Sequence, residues 1–229
     1  MPLVTSENHP RINHRSLRAK REAARGEDDQ VTGARFFNRK LNVTVIRIDQ
    51  GNCYVTGSDE EMLSTVLGSC ISACIRDTKL HIGGMNHFLL PATDDASWTN
   101  KSGNIASAHL RYGNFAMEQL INGILKRGGS RENLEIKVFG GGNVLKGNGG
   151  VGHRNADFIE QYVRDEGLKV VASDLRGDLP RKIQYFPTTG RVQMKKLDTQ
   201  HSKTIIREEE NRRMKTRIVE EAGSIELWD

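Results

Sequence analysis

The 229-residue chain is poor in cysteine, with only Cys53, Cys70 and Cys74. An odd number of thiols in a chain large enough to bury its own core cannot complete a disulfide framework and does not need one. Reduced thiols are therefore expected, a state that leaves room for one of them to be chemical. Long apolar runs are also missing. The longest, from Val66 to Ile75, is interrupted by Gly68, Ser69 and Ser72 and falls far short of the roughly 20 residues that cross a bilayer. The N-terminus, polar almost from its start, has no apolar core of the secretory type, so a cytoplasmic location is expected, with recruitment to membrane receptors open but no direct membrane insertion. Aromatic residues make up 6% of the chain. None is interleaved with the arginines of the C-terminal tail, which argues against stacking on single-stranded nucleic acid.

One charge sign is in modest excess: 34 Lys and Arg against 29 Asp and Glu give a net charge of +5 and a pI near 9.2. Divided by region, residues 1–40 carry +4, residues 41–197 carry +3 and residues 198–229 carry −2. The surplus thus sits largely on an N-terminal segment without apolar periodicity, a composition that does not bury enough surface to offset its ordering entropy. A flexible basic extension over 1–40 is expected, and no nucleic-acid partner.

From Leu41 the texture changes. Val43, Val45 and Ile48 alternate with Thr44, Arg47 and Asp49 as in a strand that ends at the turn Asp49-Gln50-Gly51-Asn52. Two apolar segments follow, Cys70 to Arg76 and Leu80 to Leu90, separated by Asp77-Thr78-Lys79. They predict a hairpin. After a polar loop over Ala92 to Asn104, helical spacing marks Tyr112 to Lys126 and Asn155 to Glu166. Leu134 to Phe139, Lys169 to Ser173, Ile183 to Phe186 and Val192 to Leu197 read as strands. The domain expected over 41–197 is α/β, a single compact unit. Residues 198–229 form a charged tail, helix-prone from about Thr204 to Ala222, where Glu208 and Arg212 stand as an i, i+4 pair.

Cys70 follows small residues in Leu67-Gly68-Ser69-Cys70. Such residues leave room for a substrate, and the backbone N–H groups of Ser69 and Cys70 can face a developing oxyanion. His87 ends Gly83-Gly84-Met85-Asn86-His87. With a two-residue Thr78-Lys79 loop, Cys70 and His87 stand directly opposite across the hairpin, with Cβ atoms roughly 4.5 to 5.5 Å apart. A free thiol is mostly protonated at neutral pH, and an adjacent imidazole can take its proton to leave a nucleophilic thiolate. Ser64, Thr65 and Asn86 are the nearby groups that could orient the ring.

The alternative, a small buried thiol and a satisfied core histidine, stays open on spacing alone. A zinc site from Cys70, Cys74 and His87 is disfavoured, since thiols four residues apart on a strand make no chelating knuckle. The glycine-rich stretch Phe139 to Gly152 lacks the Walker spacing. Its glycines read as tight turns and close backbone approaches. Cys53 and Cys74 read as packing residues, and His81, His109 and His153 have no partner spacing.

At these residues the chain resembles the CheD family of chemoreceptor glutamine deamidases. The similarity runs through STVLGSCISACIRD, HIGGMNHFLLP, RYGNFAMEQLINGILKRGG, KVFGGGNVL, VGHRNADFI and RKIQYFPTTGRVQMKKL, covering roughly Val43 to Leu197. The resemblance implies layered β-sheets with helices packed on one side, and an active site similar to that of bacterial toxins that deamidate host glutamines. It implies a cysteine hydrolase, without cofactor, that converts glutamines on the cytoplasmic helices of methyl-accepting chemotaxis receptors to glutamate. Cys70 is the implied nucleophile and His87 the implied base. The family's third catalytic residue is a threonine shortly before the cysteine, where this chain reads Ser64-Thr65. Thr65 is carried over, although strand alternation from Cys70 favours Ser64 unless Gly68 resets the phase. The late segment Arg176 to Arg181 carries fewer glycines than some relatives. A non-catalytic adaptor that binds receptors or a CheC-type phosphatase is the competing function.

Overall fold

The computed structural model describes residues 33–90, 105–144 and 150–198. The expected loop over Ala92 to Asn104 and the helix-prone tail segment lie outside them, as do residues 1–32.

Among the described residues the chain forms ten strands and two α-helices. The strands are β1 (Arg35–Asn38), β2 (Val43–Arg47), β3 (Cys53–Thr56), β4 (Glu61–Leu67), β5 (Ile71–Asp77), β6 (Ile82–Asn86), β7 (Leu134–Gly140), β8 (Lys169–Leu175), β9 (Arg181–Phe186) and β10 (Arg191–Lys196). The helices are α1 (Ile105–Lys126) and α2 (Val151–Asp165). One sheet has the order β1-β2-β4-β9-β10 and the other β3-β6-β5-β7-β8. All neighbours are antiparallel except β2 with β4 and β7 with β8.

Side-chain alternation sets the layers. Ile46, Leu63, Leu67, Ile183 and Tyr185 of the first sheet meet Cys70, Cys74, Met85 and Phe139 of the second. The other face of the second sheet, with Val55, Ile71, Ala73, Ile75 and Ile82, packs on both helices. Met117, Leu120, Ile121 and Ile124 come from α1, and Phe158, Ile159, Tyr162 and Val163 from α2. The result is sheet on sheet on helices, the layered α/β fold expected, with both described helices on the same side. Strand β5 is covered on both faces, which is why its sequence reads as a nearly continuous apolar run rather than an alternation. Among the described residues no helix is long and apolar enough to cross a membrane.

Several boundaries differ from expectation. The first sheet begins with β1, before Leu41, so the extension ascribed to 1–40 overlaps an ordered strand. Phe36 and Phe37 of β1 are 54% and 58% exposed, so ladder pairing with β2 holds this edge strand more than burial does. Strands β3 and β4 lie where the sequence pattern marks no strand. The β5–β6 hairpin has Asp77 opposite Ile82, with Thr78 to His81 in the loop, not a two-residue turn. The cause is the Asp77 carboxylate, whose Oδ1 accepts the N–H groups of both Lys79 and Leu80 at 2.8 Å and so widens the turn. The two helices begin at Ile105 and Val151, upstream of Tyr112 and Asn155.

Candidate active site

The chain passes from the first sheet to the second between β4 and β5, through Gly68, Ser69 and Cys70. Three successive carbonyls of this crossing are held. Gly142 N–H donates to Gly68 O at 2.9 Å and Gly141 N–H to Cys70 O at 2.8 Å. The Asn155 side chain donates through Nδ2 to Ser69 O at 2.8 Å and accepts Leu90 N–H on Oδ1 at 3.1 Å. Gly140 lies at φ +117°, and a Cβ there would collide with the Cys70 carbonyl. The glycine-rich segment after β7 thus serves as the close backbone approach expected of it, over the part that is described. The Arg176–Arg181 segment braces it from behind: Arg176 N–H donates to Gly140 O at 2.9 Å, and Asn143 N–H to Gly177 O at 2.6 Å.

Cys70 and His87 are both buried, at 2% and 4% exposure. They do not stand opposite each other as the two-residue turn predicted. The register pairs Cys74 with Met85 and Ile71 with Phe88, and continuing it by one residue brings Leu89, not His87, opposite Cys70. The shift is even, so no side chain changes face. Cys70, Cys74, Met85 and Leu89 all belong to the inter-sheet core. Cys70 and His87 are therefore diagonal neighbours on that face, a relation that sets Cβ atoms within about 7–8 Å and is bridged by long side chains.

The imidazole is oriented from the first sheet. Thr65 Oγ1 lies 2.8 Å from His87 Nδ1 and donates to Ile48 O at 2.7 Å. Ile48 O is also 3.3 Å from Nδ1. A hydroxyl has one proton, and here it goes to Ile48 O, so Nδ1 must carry a hydrogen to make both of its contacts favourable. That tautomer places the basic lone pair on Nε2, which is buried. The loop after β2 clamps the same residue through the backbone: Gly51 N–H donates to His87 O at 2.7 Å, and His87 N–H donates to Asn52 O at 3.0 Å.

Ser64 is not in this cluster; its hydroxyl donates to Ile183 O at 3.0 Å. Parity with Cys70 misleads because β4 and β5 belong to different sheets, so alternation is not carried across Gly68 and Ser69. Asn86 faces the helices, accepting Ala73 N–H at 2.8 Å and donating to Ala116 O at 3.0 Å.

Three residues near the site were not singled out by their spacing. Gln50 Oε1 accepts from the Cys70 thiol at 3.6 Å. Tyr112 reaches the same loop, its hydroxyl 3.7 Å from where a Cβ on Gly51 would sit, and is held above the ordinary phenol range chiefly by desolvation. Asn155 carries a readable signal, a polar residue on the apolar stripe of Phe158, Ile159 and Val163. Gln50 carries none beyond its place in a turn.

The other thiols are pushed away from reactivity. Burial, partly offset by Arg127, raises Cys53 to about 11. Burial raises Cys74 further. His81 Nδ1 contacts Thr188 O at 3.0 Å, away from the site. Among the described residues no group of three or more His, Cys, Asp or Glu side chains could hold a metal ion.

A thiol and an imidazole on one face of a sheet, with a threonine hydroxyl from the facing sheet on the imidazole, define a class: a layered α/β protein with a Cys-His-Thr constellation between its sheets. Comparison with known proteins carries this to a family. The family model described as CheD chemotactic sensory transduction matches residues 89–196. A protein of Rhodopseudomonas palustris is 44% identical over 215 residues, covering 94% of this chain and 99% of that one. A protein of Methylobacillus flagellatus is 45% identical, covering 88% of this chain and 98% of that one. One of Halorhodospira halophila is 49% identical, covering 77% and 81%. Each of the three is named a probable chemoreceptor glutamine deamidase CheD. The chain belongs to the CheD family. A solved structure, Neisseria meningitidis protein NMB0706, shares 8% identity at a TM-score of 0.37, over 61% of this chain and 66% of that one, and carries no argument.

Proposed function

We propose that the protein is a chemoreceptor glutamine deamidase in which Cys70 is the nucleophile, His87 the general base and acid, and Thr65 the residue that orients the imidazole. The observation that carries the proposal is the Thr65–His87 contact, which leaves Nε2 as the basic nitrogen on the face shared with Cys70. The names of the relatives supply the substrate class.

In this reading Nε2 takes the thiol proton as Sγ attacks the side-chain carboxamide carbon of a substrate glutamine. The carbonyl oxygen becomes an oxyanion, faced by the backbone N–H groups of Ser69 and Cys70. His87 returns the proton to the departing amide nitrogen, and ammonia leaves a thioester. Water, deprotonated by His87, attacks that thioester to give glutamate, and the sulfur leaves and is reprotonated. Every step uses groups of the chain, the substrate and water. The reaction on cytoplasmic receptor helices and the association with a CheC-type phosphatase belong to the same proposal.

The test follows a receptor cytoplasmic fragment by mass spectrometry. Wild-type protein is expected to convert glutamine to glutamate, and Cys70→Ala to convert none. No conversion by the wild type, or equal conversion by the variant, refutes the assignment. An adaptor role predicts that Cys70→Ala keeps both binding and biological effect.

A further inference from the structure

We infer that Gln50 is a further catalytic residue, whose side-chain amide donates a hydrogen bond to the Cys70 thiolate and then to the oxyanion formed on the substrate amide. The inference rests on the role of Cys70 proposed above and adds a participant to that site.

The geometry starts from the resting contact, in which the thiol donates to Gln50 Oε1 at 3.6 Å. A carboxamide presents an acceptor and a donor on the same carbon. When His87 removes the thiol proton, the sulfur changes from donor to acceptor. Oε1 then faces a negative charge, and an N–H in the same position would be attracted by it. The exchange needs only rotation about χ3, a terminal torsion with a broad, roughly two-fold profile. The carbonyl under attack sits one new bond away from the sulfur, so a donor that reaches the sulfur reaches the developing oxyanion as well. Such donors act most strongly in a site removed from water, and Cys70 is only 2% exposed.

The backbone makes this placement reproducible. Gln50 lies between Ile48, whose carbonyl takes the Thr65 hydroxyl, and Gly51, whose N–H binds the His87 carbonyl. Gly51 holds φ +88°, a conformation that L residues seldom adopt. One loop thus fixes the carboxamide relative to the thiol and the imidazole relative to its threonine.

The test compares the full-length wild type, Gln50→Ala and Gln50→Glu on the receptor fragment, with kcat and KM measured separately and melting recorded as a control for folding. Gln50→Ala is expected to lose on the order of 10²-fold in kcat with KM nearly unchanged, as for removal of one oxyanion donor. Gln50→Glu keeps the shape but replaces the donor with a carboxylate, and is expected to lose more than Gln50→Ala. A packing role predicts the reverse order, because the isosteric variant would be the milder one. Gln50→Glu with wild-type kcat, or less impaired than Gln50→Ala, overturns the assignment while leaving Cys70 in place. If the wild type converts no glutamine, the parent reading and this one fall together. Should Gln50→Ala fail to fold, Gln50→Glu against the wild type decides.

Discussion

The thiol and the imidazole are held by different parts of the molecule and in different ways. The crossing that carries Cys70 is fixed through its main chain, with the Gly68, Ser69 and Cys70 carbonyls bound to Gly142, Asn155 and Gly141. His87 is fixed at its ring by the Thr65 hydroxyl of the facing sheet together with the Ile48 carbonyl, and at its backbone by the loop after β2. A main-chain mounting constrains where the sulfur sits and leaves its protonation to its neighbours. A side-chain mounting constrains which nitrogen carries the proton. Damage to the first is therefore expected to appear as lost stability, and damage to the second as lost turnover at nearly unchanged stability.

The largest effect is expected at Gly140→Ala. The residue sits at φ +117°, and the added methyl group would collide with the Cys70 carbonyl, which is backbone and cannot swing aside. Strain and collision together are expected to cost about 4 kcal/mol or more, read as a fall in melting temperature of roughly 8–16 °C for a domain of this size. A variant that melts with the wild type would break the claim that the Cys70 crossing is mounted on this glycine. Asn155→Leu comes next. It leaves Leu90 N–H and Ser69 O without their buried partner, at about 1–3 kcal/mol for each, measurable by denaturant unfolding. Asn155→Asp sharpens the test: it keeps the acceptor for Leu90 but sets a carboxylate oxygen against the Ser69 carbonyl in a fully buried position, so at neutral pH it should be destabilised at least as much as Asn155→Leu.

The two mountings are unequally legible in the sequence. Leu134 to Phe139, Ile183 to Phe186 and both helices announce themselves through periodicity, because each buries one face against a layer whose chemistry is apolar. Strand β1 does not, since pairing rather than burial holds it, and β4 does not, since its burial is nearly continuous. Cys70 and His87 are visible through their small-residue contexts, and their common face survives the register error only because the slip is even. Which of Ser64 and Thr65 reaches His87 depends on β4 and β5 lying in different sheets, a long-range fact that local alternation does not contain. Gln50 reads as a turn residue because turn chemistry is local, whereas its contact with Cys70 joins positions twenty residues apart.

On the side-chain mounting, Thr65→Val keeps the shape of the threonine and removes its oxygen. It deprives Nδ1 of one acceptor and leaves the tautomer to Ile48 O alone. The expected result is a loss of about 10- to 100-fold in kcat, equivalent to roughly 1.4–2.7 kcal/mol in the barrier. Thr65→Ser, which restores the hydroxyl, should recover most of it. A large drop in melting temperature with unchanged kcat would instead place Thr65 among the packing residues.

The smallest effect is expected one position earlier, and it carries the comparison furthest. Ser64 and Thr65 are adjacent, both bear a hydroxyl, and both are buried, at 8% and 2% exposure. They differ in the face of β4 that they occupy. Ser64 binds the Ile183 carbonyl within its own sheet, a carbonyl on a neighbouring strand of the ladder. Ser64→Ala should therefore cost about 1 kcal/mol or less in stability, the net value of one neutral hydrogen bond, and leave kcat within error of the wild type. If Ser64→Ala lowered kcat as Thr65→Val is expected to, the imidazole would be taking its orientation from the wrong side of the strand. The distinction between a hydroxyl that supports the sheet and one that sets the tautomer of His87 would then fail.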